Sequence, residues 1–404
     1  MSGPFHGKRI LLGVSGSIAA YKAADLASKL TQGGAEVDVL MTHSATRFVT
    51  PLTFRSITHR PVLTDLFDPG SPEAIEHVAL AQAAHVLVVA PATAHMLAKL
   101  ALGLADDPIS VTALATGAPV LVAPAMDANM WEHPAVRRNV ETLIERGAVI
   151  VGPGEGRLAS GLTGWGRLAE TPELLGRIAK TLGANGDLSG RSIVVSAGGT
   201  QEPLDPVRVL TNRSSGKMGY AIAEAARDRG ADVTLVTASA AVEPPVGVHV
   251  ERADTAEQMR NAVQEAVCSA DALVMAAAVA DYRPADPSGE KLKKEAMADL
   301  SVALERTDDI IAGVPDGIVK VAFAAESRDL LKNARAKLKG KGVHLVAAND
   351  ITLPGAGFGA DENKVWLVDE GGDTELPLMA KYDVAMAILD RVVALLGTGR
   401  PKGR

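Results

Sequence analysis

The sequence predicts an α/β protein made of two doubly wound domains, and three observations carry that prediction. Short apolar runs alternate with longer amphipathic stretches along the 404 residues, the order expected of parallel strands covered by helices. Apolar residues make up 47% of the chain and aromatic ones only 3%, so the cores are built of Ala, Val and Leu, as buried parallel strands are. The two halves also begin alike: GKRILLGVSG at 7–16 parallels GRSIVVSAGG at 190–199, GAEVDVLMT at 34–42 parallels GADVTLVTA at 230–238, and AAHVLVVAPATA at 83–94 parallels SADALVMAAAVAD at 269–281.

Each run then takes its place. In the first half, strands are predicted at 9–14, 36–41, 85–90, 119–123 and 148–151, with helices at 17–32, 72–82, 93–103, 134–146 and 172–182. The stretch LGANGDLSGR at 182–191 is dense in turn residues and sets a boundary near 187, giving domains 1–187 and 188–404. In the second half, strands at 192–196, 232–237, 272–277, 319–323, 344–348 and 364–368 alternate with helices at 218–229, 255–269, 327–339 and 380–396. Sheets of this kind place ligands beyond the carboxyl ends of their strands.

Composition narrows the function. The single cysteine, Cys268, excludes a disulfide framework and a cysteine-based metal site. A net charge of -7 argues against nucleic acid as the main partner, and the basic Arg400, Lys402 and Arg404 read as a frayed end. No signal segment and no apolar run near the ~18 residues of a membrane span is visible, so a cytoplasmic protein with no membrane partner is expected.

The densest segment is SAGGTQEPLDPVRVLTNRSSGKMG at 196–219. It leaves a strand through Gly198-Gly199-Thr200, re-enters a helix near Met218 and carries Arg208, Arg213 and Lys217, a combination suited to phosphates. It is not a P-loop, because that pattern requires Gly at 211 and Ser or Thr at 218, where the chain has Thr211 and Met218. A dinucleotide fingerprint is also absent, since Gly198 and Gly199 are adjacent. In the first half, Gly16-Ser17-Ile18 opens a helix after the first strand. Thr42 and Ser44 after the second, and Ala92 and Thr93 after the third, add small hydroxyl residues at the same sheet edge. Together they describe a mononucleotide pocket.

Gly16-Ser17-Ile18, Pro91-Ala92-Thr93-Ala94 and Pro124-Ala125-Met126-Asp127-Ala128-Asn129-Met130-Trp131 resemble the homo-oligomeric flavin-containing cysteine decarboxylases, whose domain is flavodoxin-like and Rossmann-like. The resemblance implies FMN held across a subunit contact, a homo-oligomer built on trimers, up to a dodecamer, and a catalytic histidine at His77. An imidazole is suited to moving protons near neutral pH. Two positions depart from the family. Asp127 replaces a common Asn that contacts the substrate carboxylate, and an ionised Asp repels that group unless protonated or paired. Ser160 replaces the cysteine of a substrate flap, and a hydroxyl is a far weaker acid than a thiol. The glycine-rich 152–168 reads as that flap, a mobile lid, or as a flexible interdomain loop.

In the second half, the segment at 196–219 with AAAVADYRP at 276–284 and Glu290-Lys291-Leu292-Lys293-Lys294 resembles phosphopantothenate-cysteine ligase. The resemblance implies that CTP activates 4'-phosphopantothenate as an acyl-cytidylate, which cysteine then attacks. It places Met275, Ala276 and Ala277 near the nucleotide and Asp308, Asp309, Ile310, Ile311 and Phe323 around the cytosine. Lys291, Lys337 and Lys341 fall on the phosphates, Asp281 on the nucleotide or a Mg2+ ion, and Asn212 on the acyl-cytidylate. Arg208 and Lys217 are further phosphate contacts.

Both resemblances together imply a bifunctional enzyme of coenzyme A synthesis, in which 4'-phosphopantothenoylcysteine passes from ligase to decarboxylase. His77, Asp127 and Ser160 are the residues expected to serve the second reaction and Asn212 the first. Asp127 and Ser160 keep open an active ligase fused to a flavoprotein domain with impaired or altered chemistry. A non-catalytic oligomerisation and binding module is the third reading.

Overall fold

The computed structural model describes residues 3–66, 76–238, 242–293, 301–352 and 359–398, and the chain divides into two compact units after Leu182. Lys294, Arg400, Lys402 and Arg404 lie outside the described residues, as does the start of the predicted helix 72–82.

In the first unit, β1 (Arg9–Val14), β2 (Glu36–Met41), β3 (Val62–Leu63), β4 (Val86–Ala92), β5 (Val120–Pro124) and β6 (Val149–Ile150) form one sheet in the order β3-β2-β1-β4-β5-β6. Every pairing is parallel. Without the two-residue β3 this is the flavodoxin order, whose switch point falls between β1 and β4. The central strands are buried throughout, Ile10 to Leu12 and Val86 to Ala90 being fully enclosed, which explains why they read as unbroken apolar runs. Asp38 is the buried exception in β2, and it is bonded by Arg9 Nε at 2.7 Å and Arg60 Nε at 2.6 Å. Helix α1 (Ala20–Gln32) covers one face with Ala20, Ala23, Leu26, Ala27 and Leu30, one stripe at helical spacing.

Helices α2 (Pro51–Thr58), α3 (Glu76–Ala83), α4 (Ala94–Leu102), α5 (Pro108–Ala115), α6 (Ala128–Glu132), α7 (Pro134–Glu145) and α8 (Thr171–Gly183) complete the layers. The short α2, α5 and α6 are absent from the sequence prediction, each being one or two turns; α2 opens on Pro51 without a side-chain cap, and α5 and α6 are capped by Asp107 and Asp127. Asp107 caps α5 by accepting the Ile109 and Ser110 N–H groups while Pro108 takes the first position. The predicted lid at 152–168 is an antiparallel hairpin of β7 (Gly154–Arg157) and β8 (Thr163–Arg167).

The second unit repeats the plan. Strands β9 (Ser192–Ala197), β12 (Asp232–Thr237), β13 (His249–Arg252), β14 (Ala272–Met275), β17 (Val319–Glu326) and β18 (Leu345–Asp350) run parallel, and β20 (Val365–Asp369) and β21 (Gly372–Glu375) close the sheet antiparallel. The order is β13-β12-β9-β14-β17-β18-β20-β21, with the switch point between β9 and β14. Helices α9 (Lys217–Asp228), α10 (Ala256–Ala266), α11 (Leu330–Gly340) and α12 (Lys381–Thr398) cover the faces. Three two-stranded ribbons stand outside the main sheet: β10 (Gln201–Pro203) with β11 (Val209–Thr211), β15 (Tyr282–Pro284) with β16 (Leu304–Arg306), and β19 (Glu362–Asn363) with β22 (Met379–Ala380). Asp187 belongs with this unit, bonded by Arg229 Nη2 at 2.5 Å.

Candidate functional site

Each unit gathers its motif residues at the carboxyl ends of its strands. In the first, Ser15 ties the switch point. Its Oγ donates to the Pro91 carbonyl at 2.7 Å and accepts the Thr93 N–H at 3.0 Å, so the turns after β1 and β4 are bonded together. Gly16 lies against the turn after β2, where an added Cβ would stand 2.4 Å from Ser44 Cβ. Thr42 Oγ1 accepts the Ala45 N–H, Ser17 Oγ accepts the Ala19 N–H, and Thr93 caps α4 by accepting the Met96 N–H. Ala125 N–H donates to the Ala92 carbonyl at 3.0 Å, which brings the turn after β5 to the same edge. Ile18, Tyr21, Phe48 and Leu52 beside these turns are all at least half exposed. His77 is the second residue of α3 and is half-buried.

The turn after β5 carries Asp127, the N-cap of α6, whose carboxylate accepts the Asn129 N–H at 3.0 Å. Ser160, at the tip of the β7–β8 hairpin, donates its Oγ hydrogen to Asp127 Oδ2 at 2.5 Å. The hairpin is seated on the same turn by the Met126 N–H, which donates to the Gly166 carbonyl at 2.9 Å. The Ser160 hydroxyl, and after it the Asn129 N–H, hold the Asp127 carboxyl below the usual carboxylate range. The two positions that depart from the decarboxylase pattern are therefore partners, and Asp127 is a paired carboxylate.

In the second unit, the Gly198-Gly199-Thr200 turn is not among the residues that line the cavity. All three residues are buried, and their polar groups lock the strand-end segment opposite: Ala278 N–H donates to Gly198 O at 2.8 Å, Thr200 N–H to Ala278 O at 3.3 Å, and Ala280 N–H to Thr200 Oγ1 at 2.9 Å. The surface left for a ligand lies further along, at 212–219. There a cavity of about 610 Å³ is lined by Asn212 to Gly219 together with Met275, Ala276, Ala277, Asp281, Asp308, Asp309, Ile310, Ile311, Phe323, Lys337 and Lys341. Lys291 is exposed and is not among the lining residues, and Arg208 is likewise outside, donating to the Leu292 carbonyl at 3.0 Å.

The lining is preorganised. Asn212 Nδ2 donates to the Val279 carbonyl at 3.1 Å, which fixes its amide beside the end of β14. Lys337 Nζ donates to the Phe323 carbonyl at 2.6 Å, and burial, followed by the neighbouring Lys341 ammonium, pushes its pKa down. Lys341 is paired with Asp309 at 3.0 Å, and Asp308 with Arg260. Among the described residues no group of three or more His, Cys, Asp and Glu side chains could hold a metal. Asp281 alone fits a Mg2+ ion only where phosphate oxygens supply most of the ligands, the usual arrangement for that ion.

Comparison with known proteins accounts for both halves. A family model described as flavoprotein matches residues 2–183, and one described as DNA/pantothenate metabolism flavoprotein C-terminal domain matches 188–396. The chain is 43% identical over 396 residues to the coenzyme A biosynthesis bifunctional protein CoaBC of Bacillus subtilis, covering 96% of this chain and 97% of that one. This chain belongs to the CoaBC family. The CoaBC protein of Mycobacterium tuberculosis H37Rv is 44% identical over 408 residues, covering 96% and 97%. A crystal structure of the carboxyl-terminal domain of a CoaBC protein is 36% identical, covering 52% of this chain and 98% of that one with a TM-score of 0.45.

Motif reading of this CoaBC family member passed over three residues. Ser15 sits inside a named motif, but its bridging bonds depend on β1 and β4 being neighbours. Asp205 is buried and accepts the Val207, Arg208 and Leu292 N–H groups, tying the segment that bears Lys291 to the β10–β11 ribbon. Lys381 lines the cavity from the start of α12, more than 160 residues from the motif whose site it shares; only the fold brings it there.

Proposed function

We propose that this chain carries out two consecutive steps of coenzyme A biosynthesis. The second unit joins 4'-phosphopantothenate to cysteine at the expense of CTP, and the first decarboxylates the resulting 4'-phosphopantothenoylcysteine to 4'-phosphopantetheine. The observation that carries the proposal is the near full-length match to bifunctional relatives in both units. The cationic cavity supports the ligase half.

In the ligase, the substrate carboxylate attacks the α-phosphorus of CTP and releases pyrophosphate, and the cysteine amine then displaces CMP from the acyl-cytidylate. Charge accumulating on the phosphates is met by Lys337 and Lys341, with Lys291 approaching on the 288–292 segment. Asp308 to Ile311 and Phe323 frame the cytosine, backed by Met275, Ala276 and Ala277. Asp281 would hold Mg2+ together with the phosphate oxygens, and the fixed amide of Asn212 positions the acyl-cytidylate.

In the decarboxylase, the rim formed by the turns after β1 and β4 would hold FMN, because the half-buried Gly16, Ser17 and Thr93 there are small and stand over the buried Ala92. Ile18, Thr42 and Ser44 extend that rim. Bound FMN supplies the oxidation that readies the cysteine side chain for loss of carbon dioxide and returns the hydride afterwards. His77 moves the proton, Asp127 orients the hairpin end of the site, and Ser160 presents its hydroxyl or a relayed water proton there. The exposed Ile18, Tyr21, Phe48 and Leu52 support a subunit contact beside this rim, in a cytoplasmic homo-oligomer built on trimers. No helix among the described residues is long and apolar enough to cross a membrane.

Incubation with 4'-phosphopantothenate, cysteine, CTP and Mg2+, followed by mass analysis, tests both halves. Phosphopantetheine and carbon dioxide are the expected products. Accumulation of phosphopantothenoylcysteine alone would refute the decarboxylase half, and recovery of unreacted acid would refute the ligase half.

A further inference from the structure

The cavity of the second unit holds a second pair of lysines. Lys217 is the first residue of α9 and Lys381 the first residue of α12, and both line the cavity. A cation at a helix start opposes the macrodipole, so neither position is chosen for helix stability. Lys381 is only 9% exposed. Its Nζ donates to the Glu362 carbonyl at 3.1 Å and to the Ala360 carbonyl, and among the described residues no carboxylate is bonded to it. Lys217 Nζ donates to the Gly359 carbonyl at 2.9 Å and to Asp361 Oδ1 at 2.6 Å. Asp361 is the one carboxylate among the described residues that meets this pair, and it is 89% exposed.

Two ammonium groups therefore share one solvent-facing carboxylate. Burial, and after it the Lys217 charge, push the Lys381 pKa down. A buried cation left without a counter-charge is costly unless something else supplies one. The same wall includes Ser214, Ser215 and Gly216, where the Gly216 and Lys217 N–H groups donate to the Ser214 and Ser215 hydroxyls at 3.4 Å each. Lys337 is bonded to the Phe323 carbonyl of β17 and Lys341 to Asp309, whereas Lys217 and Lys381 are both bonded to the 359–362 segment. The two lysine pairs are thus anchored on different segments of the cavity lining.

We propose that Lys217 and Lys381 form a phosphoryl subsite that binds a phosphate group of one ligase substrate, separate from the Lys337–Lys341 pair. This rests on the ligase reading above. Two sources share the chemistry: the pyrophosphoryl end of the nucleotide, and the phosphate monoester of the acid.

Steady-state kinetics of the full-length enzyme separate them. In Lys381→Met, a rise of about tenfold or more in KM for CTP, with weaker inhibition by inorganic pyrophosphate, assigns the nucleotide. The same rise in KM for 4'-phosphopantothenate, with no change for unphosphorylated pantothenate, assigns the monoester. Lys381→Arg keeps the charge and retains most of the affinity. Lys217→Met carries the same expectation from a less buried position, so a folding defect in one variant leaves the other. Both KM values and pyrophosphate inhibition within about twofold of wild type in both Met variants would overturn the subsite. A wild-type enzyme that fails to ligate defeats the ligase reading instead, and calorimetric titration of inorganic pyrophosphate and phosphate into wild type and variants still tests the subsite.

Discussion

Asp127 and Ser160 gain their meaning from the 2.5 Å bond between them. Viewed singly, an aspartate where the family resemblance expects a substrate carboxylate and a serine where it expects a thiol each look adverse. As a pair, the carboxylate is occupied and the hydroxyl is aimed. The bond favours the ionised carboxyl, so its folded pKa lies below the unfolded value. Its contribution is therefore present above the ordinary carboxylate range and is lost as pH falls through the depressed folded value. Ser160→Ala is expected to raise the Asp127 midpoint in a carbon-detected carboxyl titration, leaving only the Asn129 N–H to lower it; an unmoved midpoint would remove the bond from the account. On the ligase side, Asn212→Asp is expected to leave cytidylate formation measurable while cysteine ligation falls, because the new carboxylate cannot donate to the Val279 carbonyl and repels the phosphate. Wild-type ligation in that variant would exclude Asn212 from the mechanism. The sequence displayed both residues because each sits in a motif. It could not display the Asp127–Ser160 partnership or Lys381, which depend on the β7–β8 hairpin meeting the turn after β5 and on α12 starting at the cavity that α9 also lines.

Among elements, the long strands were the most legible. β1 and β2 occupy the predicted ranges 9–14 and 36–41, and β12 occupies 232–237, because a strand buried on both faces must be continuously apolar. The ribbons were not legible. β7–β8 alternates glycine with charge, as in Gly154-Glu155-Gly156-Arg157, so its period carries no apolar signal and it reads as a lid. Its glycines instead permit close seating. A Cβ on Gly166 would stand 2.2 Å from the Met126 carbonyl oxygen, at a φ of 151° that favours glycine. Gly166→Ala must push the hairpin off the Asp127 turn, at a cost on the order of 1–3 kcal/mol. The expected readout is faster tryptic cleavage after the exposed Arg157 together with loss of decarboxylation; unchanged cleavage and unchanged carbon dioxide release would show that the seating is dispensable.

For the whole molecule, one plan used twice has a consequence that neither unit shows alone. The repeat was visible in the paired strand-turn segments, yet the two turns do different work. Ser15 bonds neighbouring turns around an open rim, whereas Gly198 to Thr200 are consumed in locking the segment at 277–280 and leave the cavity to 212–219. Because each unit has its own core, a packing fault in one should not silence the other. Gly219 lies in α9 against β9, where an added Cβ would meet Ala197 Cβ at 2.6 Å and the Ser196 carbonyl oxygen at 2.8 Å. Gly219→Ala should therefore displace the helix that forms the cavity wall and slow ligation by about tenfold or more. The same variant is expected to decarboxylate added 4'-phosphopantothenoylcysteine at the wild-type rate, while Gly166→Ala accumulates that compound from 4'-phosphopantothenate and cysteine. Mixing the two variants should then restore phosphopantetheine, since the intermediate diffuses from one chain to the other. If the mixture remains inactive while each variant retains its own half-reaction, the intermediate is passed within a single assembly and the two units are not independent catalysts.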